Sequence, residues 1–295
     1  MEMCEGVILK SLSGFYQVET PAGIETECRA CGRFRKTGEK PVVGDHVRFR
    51  PESGSGYIEE LLPRRNFLVR PPVANIDQLL IVVSVCDPTP STLIIDKLIA
   101  AAEQQQIEPA VAVSKTDLES GDWLCDIYRQ AGFRCFSISS ATNSGVEAIR
   151  PFLKGKITVL TGNTGAGKSS LLNALYPELS LATGEISHKL GRGRHTTRQV
   201  ELLHLPEGGL VADTPGFSSI CTERYHAFQK DELQYCFREF APHLGHCQFQ
   251  GCSHICEKGC AVLSAVRNGE IPRSRHDSYA AIYQELKDRK EWNQK

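Results

Sequence analysis

The chain has 295 residues, 41% of them hydrophobic, enough for two or three domains with buried cores. Apolar runs such as Leu79 to Val85 and Leu98 to Ala102 fall far short of a bilayer crossing, and Met1 to Lys10 has no signal-peptide pattern, so a cytoplasmic protein without a membrane partner is expected. A net charge of −1 carries no global nucleic-acid signature and leaves RNA contact to local patches, while several of the twelve cysteines, Cys86, Cys125 and Cys135 among them, sit in strand-like or helix-like runs and read as reduced structural thiols.

From Gly6 to about Arg70, short apolar segments (Gly6 to Leu9, Phe15 to Val18, Val47 to Phe49, Tyr57-Ile58) alternate with turns such as Pro21-Ala22-Gly23 and Ser53-Gly54-Ser55-Gly56. This spacing predicts an OB-type β-barrel over residues 1–70. Arg33, Arg35, Lys36, Arg48, Arg50, Arg64 and Arg65, with Phe34 and Phe49 interleaved, have the chemistry of phosphate contact and base stacking; nearby glutamates allow a plain solvated surface equally well. Cys28 and Cys31 form a C-x-x-C without a second pair and read as ordinary barrel residues.

Pro71-Pro72 marks a boundary, after which strand-like and helix-like runs alternate. Strands are predicted at Leu79 to Val85, Pro109 to Val113, Arg134 to Ile138, Ile157 to Leu160, Val200 to His204 and Leu210 to Ala212. Helices are predicted at Ser91 to Gln106, begun by a serine cap, and at Trp123 to Ala131, Val146 to Leu153 and Lys168 to Leu175. This is the grammar of a mostly parallel α/β domain, residues 71–220, followed over 221–295 by a small helical domain with a Cys/His cluster.

Four motifs lie along the α/β stretch. Ser114-Lys115-Thr116-Asp117 suits guanine: the Asp117 carboxylate accepts from both N1–H and the exocyclic amine, and the Lys115 stem lies along the base. Ser114 is shorter than the usual asparagine, which weakens or removes one hydrogen bond of about 0.5–1.5 kcal/mol. Ser139-Ser140-Ala141, after a predicted strand, is placed for a second base-contacting loop, with an ordinary turn as the plain alternative. Gly162-Asn163-Thr164-Gly165-Ala166-Gly167-Lys168-Ser169 stands between a strand and a helix opened by Ser170, the setting of a phosphate loop: backbone amides meet phosphate oxygens, Lys168 reaches the β and γ oxygens, and Ser169 offers a hydroxyl to Mg2+. Asp213-Thr214-Pro215-Gly216 ends a strand, where Asp213 helps hold Mg2+ and Gly216 senses the γ-phosphate.

Between the last two motifs, Gly191-Arg192-Gly193-Arg194-His195-Thr196-Thr197 has the make-up of a first switch, with Thr196 or Thr197 on Mg2+ in the GTP state. Phe217 follows Gly216 where many GTPases place a water-orienting glutamine, so slow intrinsic hydrolysis is expected. His195 is the candidate for positioning water and Arg194 or Arg192 for charge stabilisation; the plain reading of His195 is contact with RNA phosphate. The base-reading motif precedes the phosphate loop, the reverse of the ordinary order, which reads as a circularly permuted GTPase domain.

Cys247, Cys252, His254 and Cys260 supply the donors of one closed, structural Zn2+ site, with Cys256 as a competing ligand.

In this order the motifs closely resemble the RsgA family (YjeQ or YloQ) of small-ribosomal-subunit-dependent GTPases over nearly the whole chain. The resemblance implies an OB fold, a permuted GTPase domain and a zinc-binding C-terminal domain. It also implies a cytoplasmic protein that binds GTP or GDP, acts in late maturation of the bacterial small ribosomal subunit and is stimulated by it, with the barrel and C-terminal domain touching rRNA. A monomer is expected. Because Gly216 leads straight into the C-terminal domain, hydrolysis is expected to reorient that domain and release the protein. The competing readings are an RNA-binding or remodelling module whose nucleotide only orders the domains, and a phosphate-loop kinase or ATPase, against which Asp117 argues.

Overall fold

The computed structural model describes residues 3–34, 38–52, 54–69, 71–179, 181, 200–212 and 229–292. Strands β1 (Cys4–Leu12), β2 (Phe15–Glu19), β3 (Glu25–Ala30), β4 (His46–Glu52) and β5 (Ser55–Leu61) close a barrel in the order β1-β2-β3-β5-β4. Every other residue points inward, so Ile8, Tyr16, Val18, Val47, Phe49 and Ile58 fill its interior. Antiparallel pairing of β1 with β4, Cys4 opposite Phe49, removes the free edges of the sheet. A short hairpin, β6 (Phe67–Val69) and β7 (Pro72–Ala74), leads away.

The α/β grammar then follows: β8 (Gln78–Ser84), α1 (Thr92–Gln104), β9 (Glu108–Ser114), α2 (Asp122–Gln130), β10 (Arg134–Ser137), α3 (Arg150–Leu153), β11 (Ile157–Thr161), α4 (Lys168–Leu175), β12 (Leu202–His204) and β13 (Leu210–Ala212). Two further helices, α5 (Ala261–Arg267) and α6 (Arg273–Trp292), complete the chain. Strand β8 is buried throughout and β9 beyond Glu108, as strands covered on both faces must be. Pairing is parallel for β9 with β10 and for β11 with β13, and antiparallel for β12 with β13. Ser91 does precede α1, but its side chain makes no capping bond; its carbonyl accepts from the amides of Ile94 and Ile95 instead. The predicted helix Val146 to Leu153 is divided into a 3-10 turn, Val146–Ile149, and α3, whose Pro151 has no amide proton to donate.

Two compact units result, one of Met1–Gln78, Arg150–Thr161 and Lys168–Phe217, the other of Leu79–Ile149, Gly162–Gly167 and Ser218–Lys295. Within the first, the barrel is tied to β11 through Asp77: its amide donates to the Ile157 carbonyl (3.0 Å), its carboxylate accepts from the Ile157 amide (2.8 Å), and Arg65 pairs with it (2.8 Å). The start of β12 is tied to the barrel by the Lys10–Glu201 ion pair (2.8 Å).

Within the second unit, α1 and the C-terminal helices share one apolar core that includes Ala100, Phe237, Phe240, Val262 and Tyr279. Arg275 of α6 passes through it fully buried, its guanidinium donating to Asp96 of α1 (2.7 Å) and to Glu239 (2.6 and 3.2 Å). Two buried carboxylates stay compatible with the core only while this cation lies between them. Replacing Arg275 by Met should destabilise the protein by about 3–5 kcal/mol, because it strands those carboxylates. A urea titration checks this; an unchanged midpoint would show that the pair contributes nothing.

Candidate functional site

The nucleotide site starts from local geometry in the loop between β11 and α4. Gly162, Gly165 and Gly167 all have positive φ, and a Cβ on Gly162 would lie 2.0 Å from the Val82 carbonyl oxygen. Only glycine fits there. The Ala166 amide donates to the Asn163 carbonyl (3.1 Å), which curls the loop, and Lys168 and Ser169 follow as the first residues of α4. The N-terminal end of a helix opening behind such a loop carries a partial positive charge, the arrangement that accepts phosphate.

The base-reading residues stand beside this loop. Ser114, at the end of β9, is 1% exposed and its hydroxyl faces two backbone carbonyls, Ala166 of the phosphate loop (2.6 Å) and Val83 of β8 (3.2 Å). One hydroxyl proton serves one acceptor at a time, and the shorter contact takes it. Ser114 therefore staples the base-reading loop to the phosphate loop. Lys115 has φ of 60° and its ammonium donates to the Asp87 carbonyl. Asp117 is exposed, with one carboxylate oxygen accepting from the Ser139 hydroxyl (2.6 Å); Ser139 in turn receives the Thr142 amide (3.2 Å). The Thr116 amide donates to the Ile138 carbonyl (3.2 Å), which joins this loop to the one holding Ser139, Ser140 and Ala141. Ser114, Asp117, Ser139 and Gly162 to Gly167 thus meet in one unit although the chain visits them in reverse order. The predicted switch Gly191 to Thr197 with His195, Thr196 and Thr197, and Asp213 to Phe217 with Gly216, lie outside the described residues.

A second constellation occupies the C-terminal region. The ligand atoms of Cys247, Cys252, His254 and Cys260 all lie within 4.8 Å of one another, with Cys247 and Cys260 Sγ 3.8 Å apart and His254 Nδ1 3.6 and 3.4 Å from those sulfurs. A tetrahedral ion bonded at about 2.3 Å to sulfur and 2.0–2.1 Å to nitrogen sets its ligands roughly 3.8 Å apart for sulfur pairs and roughly 3.5 Å for sulfur and nitrogen. The donor set is thus compatible with zinc, and Cys256 is exposed outside it. Burial pushes the Cys252 thiol up to about 12 and the Cys260 thiol upward, and pushes the His254 imidazole down. Thiols so placed hold their protons until a cation displaces them. The intervening loop is folded by Glu257, whose carboxylate accepts the amides of Ser253 (2.8 Å), Ile255 (3.0 Å) and Cys256 (3.1 Å). Burial alone would raise its pKa, but these bonds and the one from the Ser253 hydroxyl hold it down at about 2.

The basic barrel patch expected from the sequence is redistributed. Arg48 pairs with Glu5 and Glu60, Arg50 with Glu59 and Glu52, Arg64 with buried Asp45, and Arg65 with Asp77. Phe49 and Phe34 belong to the core, and Arg35 and Lys36 lie outside the described residues. Exposed Arg29, Arg33 and Lys40 make no ion pair among the described residues. Arg29 and Lys40 line a groove of about 580 Å³ with Phe15 and Phe34; Arg29 stacks 4.6 Å above the Phe15 ring, and Arg33 stacks on Phe34.

A phosphate loop and a guanine-suited carboxylate brought together on a mixed α/β sheet, in reverse chain order, define a circularly permuted phosphate-loop GTPase. Comparison with known proteins narrows the class. The RsgA GTPase profile matches residues 61–223, and the RsgA N-terminal domain profile matches residues 5–58. The chain is 44% identical over 293 residues to the small ribosomal subunit biogenesis GTPase RsgA of Caldanaerobacter subterraneus subsp. tengcongensis, covering 98% of each chain. It is also 44% identical to the protein of that name from Geobacillus sp. (strain WCH70), covering 98% of this chain and 99% of the other. Among solved structures, YjeQ from Thermotoga maritima superposes with a TM-score of 0.79 at 36% identity, covering 97% of this chain and 99% of that one. YloQ, described as a circularly permuted GTPase, superposes with a TM-score of 0.80 at 37% identity over 98% and 96%. The chain belongs to the RsgA GTPase family, and is a GTP hydrolase.

The loop-to-loop staple made by Ser114 was visible only in three dimensions. Ser114→Ala removes the proton that Ala166 accepts and should weaken GDP binding about tenfold, about 1.4 kcal/mol, while guanine stays preferred over adenine. Titration of a fluorescent GDP analogue, with ADP as competitor, reads both effects; unchanged affinity would show that the staple is idle.

Proposed function

We propose that this chain hydrolyses GTP during late maturation of the small ribosomal subunit, that the subunit stimulates hydrolysis, and that hydrolysis releases the protein. The observation that carries this is the meeting of Asp117, Ser139 and the Gly162–Gly167 loop in a chain whose full-length relatives are named for small ribosomal subunit biogenesis. In this reading Asp117 selects guanine, Lys168 and the loop amides hold the phosphates, and Ser169, with Asp213 and Thr196 or Thr197, holds Mg2+. Magnesium neutralises charge between the β and γ phosphates. Phe217 offers no group to orient water, so His195 is assigned that task, with Arg192 or Arg194 stabilising charge. One structural Zn2+ sits on Cys247, Cys252, His254 and Cys260.

The C-terminal module is bolted to α1 by Arg275 and by Lys97–Glu285 (2.7 Å), so a hydrolysis signal is expected to move it together with the base-reading half and not by itself. Single-stranded rRNA is assigned to the Phe15–Arg29–Lys40 groove, where free cations meet aromatic surface.

Hydrolysis should rise strongly with isolated small subunits, for GTP and not ATP, and vanish in Lys168→Ala. Subunit binding without stimulation would instead favour a module whose nucleotide only orders the domains. His195→Ala should lower stimulated turnover and leave subunit binding unchanged. For the groove, the Arg29→Ala, Lys40→Ala double variant should keep intrinsic hydrolysis and lower the log–log salt slope of subunit binding by about 1.4, at about 0.7 per lost phosphate contact. An unchanged slope would move the contact elsewhere on the protein.

A further inference from the structure

The imidazole of His254 has two nitrogens, and the structure distinguishes them. Nδ1 faces Cys247 and Cys260 Sγ, whereas Nε2 stands 2.9 Å from Oε1 of Gln234, in the 3-10 turn Leu233–Cys236. The Gln234 amide is itself oriented, because its Nε2 donates to the Asp231 carbonyl (2.9 Å). The reversed amide would set two carbonyl oxygens against each other at Asp231 and leave that acceptor unmet. Oε1 only accepts, so His254 carries its proton on Nε2 and presents the Nδ1 lone pair to the thiols.

The rest of His254 is held just as firmly. It is 3% exposed, its backbone has φ of 60°, its carbonyl accepts from His276 Nε2 of α6 (2.7 Å), and the preceding carbonyl, of Ser253, accepts from the Tyr279 hydroxyl (3.0 Å). Two elements therefore grip one residue: α6 holds its main chain, and the turn carrying Gln234 holds its ring.

We propose that Gln234 is the positioning residue of the metal site, fixing the tautomer and ring orientation of His254 so that zinc is taken through Nδ1. The proposal rests on the zinc reading above. Leu233 and Cys236, which flank the turn, are packed in the C-terminal core, so the acceptor has a fixed seat. Gln234 follows Gly216 by eighteen residues, so the metal's imidazole is oriented by the peptide that leaves the second switch motif. Outer partners of this kind affect metal affinity about 10- to 100-fold in known sites.

The test is zinc release from the full-length protein into excess chelating dye at neutral pH, for wild type, Gln234→Leu and Gln234→Glu. Leucine keeps the volume and removes the acceptor, and should release zinc about 10- to 100-fold faster. Glutamate keeps an acceptor and should stay within a few-fold of wild type. A long-range nitrogen–proton spectrum of the zinc-loaded wild type should show His254 protonated at Nε2 and metallated at Nδ1. Equal release by Gln234→Leu and wild type, or metal on Nε2, overturns the proposal. If Gln234→Leu does not fold, the nitrogen spectrum of the wild type and release from Gln234→Glu still decide it. Wild-type protein that binds no stoichiometric zinc overturns the zinc reading instead, and this proposal with it.

Discussion

The base-reading loop and the phosphate loop are joined across 52 residues of sequence by the hydrogen bond from the Ser114 hydroxyl to the Ala166 carbonyl. A permuted chain delivers its base-reading loop before its phosphate loop, so covalent order does nothing to hold them at the spacing of one nucleotide. A buried hydroxyl between two backbones supplies that constraint: leaving a buried carbonyl without a donor is costly, which keeps the loops in register. Serine, shorter than asparagine, spans the gap directly, its hydroxyl 2.6 Å from the Ala166 carbonyl. With that spacing set, the Ser139 hydroxyl can meet Asp117 and turn its carboxylate toward a fixed position.

The barrel illustrates how charge is committed during folding. Arginines that look like a surface patch in sequence are bound to carboxylates of neighbouring strands: Arg48 bridges β1 and β5, and Arg64 reaches buried Asp45. Exposed pairs of this sort add little stability but do neutralise a surface. Among the described barrel residues, Arg29 and Lys40 make no ion pair and line one groove with Phe15, Phe34 and Glu39. A chain of nearly zero net charge can thereby offer a directed electrostatic surface to a polyanion.

The C-terminal module is stabilised in two ways because its elements are short. Helix α5 has seven residues and the loop before it has almost no apolar content, so neither would hold alone. Cys247, Cys252, His254 and Cys260 gather the loop around a donor set compatible with zinc, and Arg275, threaded between Asp96 and Glu239, locks α6 onto α1. The same helix fixes the main chain of His254 through His276. The Cys/His cluster and strands β8 to β10 therefore belong to one compact unit.

Much of this was legible in the chain itself, wherever the chemistry is local. The phosphate loop, the base-reading motif and the Cys/His cluster each lie within a short segment, so residue type and spacing suffice to locate them, and the order of the first two reveals the permutation. Continuous apolar runs identified β8 and β9 for the same reason. Strand β3 escaped, since Glu-Thr-Glu-Cys-Arg-Ala shows one buried side chain, Cys28, and its strand character comes from pairing with β2 and β5. Side-chain purpose was equally hidden where the partner is distant: Arg275 and Asp96 are 179 residues apart, Gln234 and His254 are 20 apart. The sequence by itself determined the class of chemistry and the family, because those depend on which groups are present in short motifs. Only the tertiary structure decided which hydroxyl staples, which arginines pair with carboxylates and which His254 nitrogen faces the thiols, because each depends on a partner that folding brings within hydrogen-bond reach.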